Sequence, residues 1–208
     1  MKGLLSHDKG NTFKTIKNVL EELGYVVFYK VLISRDFGVP QNRHRIILVG
    51  FKKDRFDKNF DFEKNFSFPQ PIKKTVKVGD ILDKNSKVSD KYTISDKLWE
   101  GHKRRKKKHT ENGNGFGYSL FDSKSPYTNT ISARYYKDGS EALIDQSDIG
   151  KNPRKLTPRE CARLQGFPED YLIPVSDNEA YKQFGNSVTV PLIRAVAKQI
   201  LKVIKKHL

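Results

Sequence analysis

The sequence predicts an α/β fold with a small, irregular, mostly-β region between its first and last parts. Three observations lead to this prediction. A helical spacing of apolar residues over 11–23 is followed by two stretches of strand-forming residues, 25–32 and 45–51. Glycines and aromatic residues crowd 113–136, which favours short strands and turns over long helices. Apolar residues recur along one side of 191–208, which predicts a closing amphipathic helix.

The first helix and the two strands after it are predicted from their apolar patterns. Asn11 or Thr12 is placed to cap the helix, and Gly24 is placed to end it. Residues 45–51 form a continuous apolar run, which is typical of a strand covered on both faces. The loop 34–44 is expected at the edge of the sheet, where it is available for function. The apolar residues that define the helix are Phe13, Ile16, Val19, Leu20 and Leu23.

The last third of the chain carries two further helix signals. Thr157 and Glu160 have the spacing of a capping box, with Pro158 at the first helical position, and predict a helix that runs to about residue 165. Ser176 and Glu179 repeat the spacing, for a helix that ends at Gly185. Between the two ends of the chain, residues 52–91 break into Lys, Asp, Phe and Pro, and 68–71 predict a connection out of the first domain.

Composition limits the classes of function. The 208 residues include 40 Lys and Arg against 24 Asp and Glu, a net charge of +16, which favours nucleic acid as partner and an anionic membrane second. No apolar run approaches the ~20 residues that cross a bilayer, so a soluble, cytoplasmic chain without a membrane partner is expected. The single cysteine, Cys161, cannot form an internal disulfide, and with scattered histidines it suggests no metal site.

Candidate binding residues lie in two basic segments. Arg43 and Arg45 can point the same way from an extended chain, and each offers a planar fork to a phosphate or a base edge. A solvated basic turn is the alternative, although Arg45 begins an apolar strand, where an arginine needs a partner. The block 103–108 is either a solvated surface or a phosphate contact. The aromatic residues near it either stack on bases or fill a core: Trp99, Phe116, Tyr118, Tyr135 and Tyr136.

Three motifs together resemble the bacterial DNA cytosine-5 methyltransferase family, and they occur in the family's own order. Residues 41–45, Gln-Asn-Arg-His-Arg, are similar to its Gln-x-Arg-x-Arg block. Residues 154–168 are similar to its Thr-Pro-Arg-Glu-Cys-Ala-Arg block. Residues 183–191 are similar to its closing Gly-Asn-Ser-Val block. Thr130-Ile131 resembles a Thr-Leu dipeptide of the family, and 113–144 resembles members that methylate CC-GG type sites in restriction-modification systems.

This resemblance implies the C-terminal part of a Rossmann-like S-adenosylmethionine-dependent methyltransferase sheet and a small, irregular, mostly-β target recognition domain. It divides the chain into 1–75, the C-terminal part of the catalytic α/β domain, 76–150, the target recognition domain, and 151–208, a helical return segment. The family's Phe-x-Gly-x-Gly, Pro-Cys and Glu-Asn-Val blocks do not occur in these 208 residues. Residues 2–8 resemble the segment after Glu-Asn-Val, so a second chain is expected to supply the missing motifs, and the chain alone is expected to be inactive. A truncated or degenerate gene would give the same sequence pattern and stays the alternative.

In the reaction that the resemblance implies, a cytosine is flipped out of double-stranded DNA, a cysteine adds to C6, and C5 takes a methyl group from S-adenosylmethionine. Arg45 would contact the flipped base and Arg43 would support the active-site loop, whereas Cys161 belongs to a helix motif and is not the nucleophile. The residues expected at the catalytic site are Arg45, Arg43 and Gln41, those at the cofactor Asn186, Ser187 and Val188, and those at DNA Arg104, Arg105, Lys106, Thr130, Arg134 and Tyr135.

Two other hypotheses stay open from the sequence. A catalytically inactive, sequence-preferring DNA-binding module would use the same basic residues without a second chain, and an exposed apolar face would argue against it. A basic RNA-associated protein would explain the charge but not the three motifs. The junction at Gly185-Asn186-Ser187 presents backbone N–H groups that either bind a ligand or only cap a helix.

Overall fold

The computed structural model describes residues 3–72, 74–84, 87–115 and 117–206. Phe116 and the last two residues of the predicted closing helix lie outside the described residues. The chain forms two compact units. The first unit contains residues 1–37, 43–73 and 191–208, and the second unit contains 38–42 and 74–190. The three-part division drawn from the sequence stays a prediction beside these two units.

The first unit contains a two-stranded antiparallel sheet. Strand β1 (Tyr25–Ile33) pairs with β2 (His44–Lys52), from Tyr25 opposite Lys52 to Ile33 opposite His44. The helices of the first unit are α1 (Gly3–Ser6), α2 (Asn11–Glu22), α3 (Phe62–Asn65) and α8 (Val190–Ile204), the last belonging to this unit from Pro191 onward. Short 3₁₀ turns lie at His7–Gly10, Ser34–Phe37 and Lys53–Arg55.

Helix α2 matches its predicted range but not its predicted cap. Asn11 is already helical, and Gly10 precedes it with a φ of +91°, so neither Asn11 nor Thr12 caps the helix. The chain enters α2 from the preceding 3₁₀ turn in a left-handed conformation, which glycine adopts without steric cost. Gly24, with a φ of +86°, follows the helix as predicted.

The core of the first unit lies between the sheet, α8 and a cluster of phenylalanines. The apolar run 45–51 predicted that strand β2 is covered on both faces, and this prediction is wrong. Val49 and Phe51 are buried, whereas Gly50 and Lys52 are exposed, because successive residues of a strand point to opposite sides. The buried residues of this core are Leu32, Phe37, Val49, Phe51, Phe66, Leu192, Val196 and Val203.

The second unit combines short strands with several helices. Its elements are α4 (Asp96–Glu111), β3 (Leu120–Phe121), α5 (Tyr135–Asp138), β4 (Leu143–Ile144), β5 (Arg154–Lys155), α6 (Pro158–Leu164) and α7 (Asp177–Asn186). Strand β4 lies between β3, which is parallel to it, and β5, which is antiparallel. The 3₁₀ turns are Val78–Asp80, Asp90–Tyr92 and Ser147–Ile149. Leu143, Leu156, Leu164 and Tyr181 are among its buried core residues.

The mostly-β character predicted for 76–150 is wrong for the described residues. The two strands in this range have two residues each, whereas α4 has 16. Ser95 caps α4 by accepting a hydrogen bond from the backbone N–H of Leu98, and the Lys and Arg residues that follow are good helix formers. The basic block 103–108 therefore lies on a helix.

The two helix signals in the last third are confirmed. Thr157 and Glu160 form the reciprocal hydrogen bonds of a capping box at the start of α6. The Ser176 hydroxyl accepts from the backbone N–H of Glu179 at the start of α7, which ends one residue beyond Gly185. Among the helices of the described residues, none has the length and apolarity needed to span a membrane.

Candidate functional site

Gln41, from the first motif, is buried in the second unit. Its side-chain amide donates to the backbone oxygen of Leu164 at 3.2 Å and to Oε1 of Gln165 at 3.3 Å. The backbone beside it pairs with Thr128, whose N–H donates to Pro40 and whose oxygen accepts from Asn42. The short segment 38–42 is thus fixed from two sides, and the Gln41 side chain is a support for it.

Gln165 connects Gln41 with the third motif. Its amide nitrogen donates to the backbone oxygen of Phe184 at 2.7 Å, and its Oε1 accepts from the Thr189 hydroxyl at 3.3 Å. Its backbone oxygen accepts from the N–H of Val190 at 2.9 Å. Gln165 therefore holds both ends of 184–190. The sequence analysis assigned no role to Gln165, although it lies at the end of a predicted helix and within the motif 154–168.

Arg43 and Arg45 lie in the first unit, at the start of β2. Arg43 is buried, and burial together with the nearby charge of Arg45 lowers its pKa to about 10. Arg45 is half-buried, which lowers its pKa as well, and it donates to the backbone oxygen of His44 at 2.7 Å. Two guanidinium groups held out of full contact with water favour an acceptor-rich or anionic ligand.

The predicted cofactor residues form the junction between α7 and α8. The Ser187 hydroxyl donates to the backbone oxygen of Phe184 at 2.9 Å, so it caps the end of α7. Asn186 and Val188 are exposed. Gly185 packs against the chain at Ser132, where a Cβ atom would lie 2.2 Å from the Ser132 backbone oxygen. The glycine of this motif is required for packing.

The basic residues of α4 are exposed. Two of them are in ion pairs, Lys103 with Glu100 and Arg105 with Asp138. Lys106 lies over the ring of Tyr118, with its ammonium 4.4 Å from the ring centre. The remaining cations of the block 103–108, Arg104, Lys107 and Lys108, have no carboxylate partner within 4.0 Å among the described residues. The block 103–108 of α4 is therefore a surface of solvated positive charge.

A cleft of about 630 Å³ lies beside α4 in the second unit. Side chains of both charge signs line it, the acidic Glu141 and the exposed, basic Arg134. The Ser132 hydroxyl donates to the Glu141 carboxylate at 2.6 Å. Thr130 is half-buried and donates to the backbone oxygen of Asn42 at 3.0 Å. The side chains that line the cleft include Arg105, Asn129, Ser132, Arg134, Lys137 and Glu141.

Tyr135 is a core residue and not the exposed DNA contact that we expected. Its side chain is fully buried, its hydroxyl donates to the backbone oxygen of Ala142 at 2.7 Å, and it accepts from the N–H of Leu156 at 2.8 Å. Burial raises the pKa of Tyr135 well above its ordinary value. Both hydrogen bonds of the hydroxyl are thus made within the chain, and the buried ring is part of the core.

Cys161 is also buried, and burial raises the pKa of its thiol. A thiol that stays protonated inside a helix is a poor nucleophile. No group of three His, Cys, Asp or Glu side chains in the described parts of the chain is placed to hold a metal ion.

Comparison with known proteins shows the family. The family model for C-5 cytosine-specific DNA methylases matches residues 1–202, and the chain belongs to this family. The Type II methyltransferase M.SsoII of Shigella sonnei is 60% identical over 201 residues, which cover 97% of this chain and 51% of that protein. The Type II methyltransferase M.HpaII of Haemophilus parainfluenzae is 42% identical over 217 residues, with coverage of 97% and 58%. The chain spans about half the length of the curated relatives it matches.

Solved structures show the same fold at low sequence identity. The Dnmt2 methyltransferase of S. pombe has a TM-score of 0.73 at 18% identity, covering 96% of this chain and 64% of that one. The Entamoeba histolytica methyltransferase EhMeth has a TM-score of 0.68 at 19% identity, with coverage of 96% and 59%. The predicted methyltransferase fold class is thus confirmed.

Membership of this family implies S-adenosylmethionine as the cofactor. At the junction 186–188, Asn186 offers an exposed amide and Val188 an exposed apolar side chain. The Ser187 hydroxyl already donates within the chain. These residues fit one edge of a cofactor site, since they offer polar and apolar contacts on a backbone that Gln165 holds in place.

Proposed function

We propose that this chain is the C-terminal part of a DNA (cytosine-5)-methyltransferase. The complete enzyme transfers a methyl group to C5 of a flipped cytosine in a specific site of double-stranded DNA. The chain works only with the part that carries the cofactor loop, the nucleophilic cysteine and the catalytic glutamate, whether that part lies on a second chain or in a longer polypeptide. The family match and the Type II relatives support the reaction class.

The observation that carries the proposal is the burial of the one cysteine. Methyl transfer to C5 in this family begins with a thiolate that reaches the base, and Cys161 has no exposed surface. The curated relatives are about twice as long as the match, so they contain a further part of similar length. The reactive thiol is accordingly expected outside these 208 residues.

In this proposal the arginines of the first motif hold the flipped base. In this role the half-buried Arg45 donates to the carbonyl oxygen of cytosine, an acceptor that needs no ionisation of the base. The buried Arg43 keeps the start of β2 in place and adds positive potential. Gln41 acts on the second unit by fixing segment 38–42 through Gln165. Gln41 is thus a positioning residue.

S-adenosylmethionine supplies the methyl group when it is bound. Asn186 and Val188 contact it in this proposal, and Ser187 orients the backbone between them by capping α7. The α4 cations contact phosphates, which gives affinity without sequence information. Arg134 and its neighbours in the cleft read base edges, since a guanidinium pairs with guanine and a carboxylate accepts from cytosine.

A stand-alone, catalytically inactive DNA-binding module is the second candidate. The exposed cations of α4 favour it, because they need no other chain to contact phosphates. The two candidates differ in whether activity appears on completion of the enzyme.

The test is an assay of labelled methyl transfer from S-adenosylmethionine to duplex DNA. The chain is mixed with the part of the Shigella sonnei relative that lies outside the matched region, and an Arg45→Ala variant is assayed in parallel. We expect transfer to cytosine C5 with the wild-type chain and a loss of at least about 100-fold with Arg45→Ala. DNA binding by the chain that is the same with and without the added part, with no methyl transfer, would support the module.

A further inference from the structure

Helix α2 exposes an apolar side. Ile16, Val19 and Leu23 are 37%, 47% and 60% exposed, and their spacing of three and four residues places them along one side of the helix. Tyr29 of β1 is 47% exposed, and its ring meets that of Phe13 at a centroid distance of 4.6 Å. We call the residues Ile16, Val19, Leu23 and Tyr29 the α2 apolar surface.

The α2 apolar surface is unusual for an amphipathic helix. An amphipathic helix normally buries its apolar stripe, yet Phe13 is the one residue of α2 that is buried. The opposite side carries exposed polar residues such as Lys14 and Asn18, as a solvated face should. The sheet beneath α2 has two strands in the described chain, so its stability depends on what packs against its faces.

We propose that the α2 apolar surface is the docking site for the complementary half of a cytosine-5 methyltransferase, whichever polypeptide carries it. This inference rests on the proposed function and adds the place where the two halves meet. The relatives support this occupant, because each contains about as much chain again as the part matched here. The partner is expected to present apolar side chains to α2.

Charge argues against the other occupants. Two copies of a chain with a net charge of +16 repel each other, which disfavours self-association through a small apolar stripe. The charged residues of α2, Lys14 and Lys17 against Glu21 and Glu22, sum to zero, so the helix lacks the cationic face that binds anionic lipid. A second protein surface remains as the fitting partner.

Neighbouring positions on α2 provide a matched test. The probe is the part of the Shigella sonnei relative outside the matched region, expressed as a separate chain, and binding is measured by calorimetry. Val19→Asp places a charge on the α2 apolar surface, and Asn18→Asp places the same charge on the opposite side. Leu23→Lys introduces the other sign at the helix end, where a cation is favourable. Circular dichroism checks that the variants are folded.

We expect Val19→Asp and Leu23→Lys to weaken binding at least about tenfold, and Asn18→Asp to change it less than about twofold. Equal binding by Val19→Asp and Asn18→Asp would overturn the docking site while leaving the proposed function intact. The docking site would also be overturned if the wild-type chain did not bind the probe. The same holds if the α2 apolar surface instead formed dimers of this chain or bound anionic vesicles. A complex that forms as expected but transfers no methyl group would count against the proposed function alone.

Discussion

At the scale of single residues, the most constrained group is the carboxylate of Glu160. Arg154 donates to it twice, at 2.7 and 2.9 Å, and neither side chain has exposed surface. The backbone N–H groups of Thr157 and Asp83 donate to the same carboxylate at 2.7 and 2.9 Å. These hydrogen bonds offset the desolvation of the two charges and join the start of α6 to the segment around Asp83.

Removing this carboxylate should be costly. Glu160→Ala leaves Arg154 buried without a counter-charge, so we expect the free energy of unfolding to fall by about 3–5 kcal/mol in urea titrations. The control is Glu179→Ala, which removes an exposed ion pair with Lys182 and should cost less than about 1 kcal/mol. Similar losses for the two variants would show that the buried pair has no special weight.

His102 should make stability depend on pH. Its ring is buried, its Nε2 lies 3.2 Å from the backbone oxygen of Asp138, and its Nδ1 lies 3.1 Å from a guanidinium nitrogen of Arg105. Because Arg105 can only donate, Nδ1 accepts and Nε2–H donates, which requires the neutral ring. Burial lowers the pKa of His102 below 6.5.

The sign of the dependence follows from linkage. The unfolded state takes up a proton near pH 6.5 and the folded state only at lower pH, so the free energy of unfolding falls as pH drops through 6.5. We expect His102→Gln to remove this part of the decrease between pH 7.5 and 5.5, measured by urea unfolding. An unchanged pH slope in the variant would contradict the assignment.

Individual site residues differ in how far the sequence could predict them. The Gln-x-Arg-x-Arg block is a local sequence pattern, so it singled out Gln41, Arg43 and Arg45 directly. Their roles stay predictions. Tyr135 was misjudged because its neighbours are glycine-rich and polar, while its burial depends on Ala142 and Leu156, which no local pattern reveals. Gln165 was missed for the same reason, since its partners lie 19 to 124 residues away.

At the scale of elements, two helical glycines should respond to alanine in opposite ways. In α7, a Cβ atom at Gly185 would lie 2.2 Å from the backbone oxygen of Ser132, so Gly185→Ala should lower the free energy of unfolding by about 3 kcal/mol or more. In α4, Gly101 faces open space, and Gly101→Ala should raise it by about 1 kcal/mol through helix propensity. Thermal unfolding of both variants checks the pair, and a stabilised Gly185→Ala would refute the packing.

Helix α4 should set the salt dependence of DNA binding. If its exposed cations contact phosphates, Arg104→Ala and Lys107→Ala each reduce the slope of log affinity against log salt by about 1. Lys14→Ala, an exposed lysine on α2, removes the same charge in the other unit and is the control. Fluorescence anisotropy with labelled duplex over a salt series measures the slopes, and equal slopes for α4 and control variants would exclude α4 from the interface.

The elements with local signals were predicted well. Apolar spacing placed α2, and capping residues placed α6 and α7, because these signals act within one or two turns. Helix α4 was not predicted, since its basic block suggested a surface but not a conformation. The coverage of β2 was also misjudged, because the layer that covers a sheet comes from distant parts of the chain, which no local pattern reveals.

At the scale of the whole molecule, the chain has a core in each unit and an exposed apolar surface on the first. In our proposal, the α2 apolar surface and the two-stranded sheet are where the complementary half packs. The match to about half of each curated relative gives the same picture independently. These features favour a part of an enzyme over a self-sufficient binding module.

The central claim is that the reactive sulphur lies outside this chain, and covalent trapping tests it most directly. DNA with 5-fluorocytosine at the target traps the attacking cysteine, because the fluorine cannot leave as the C5 proton does. The chain and the complementary half are mixed with this DNA and S-adenosylmethionine, and the mass of each polypeptide is measured. We predict that the DNA is attached to the complementary half and not to Cys161 of this chain. Attachment to Cys161, or trapping by this chain alone, would contradict the account.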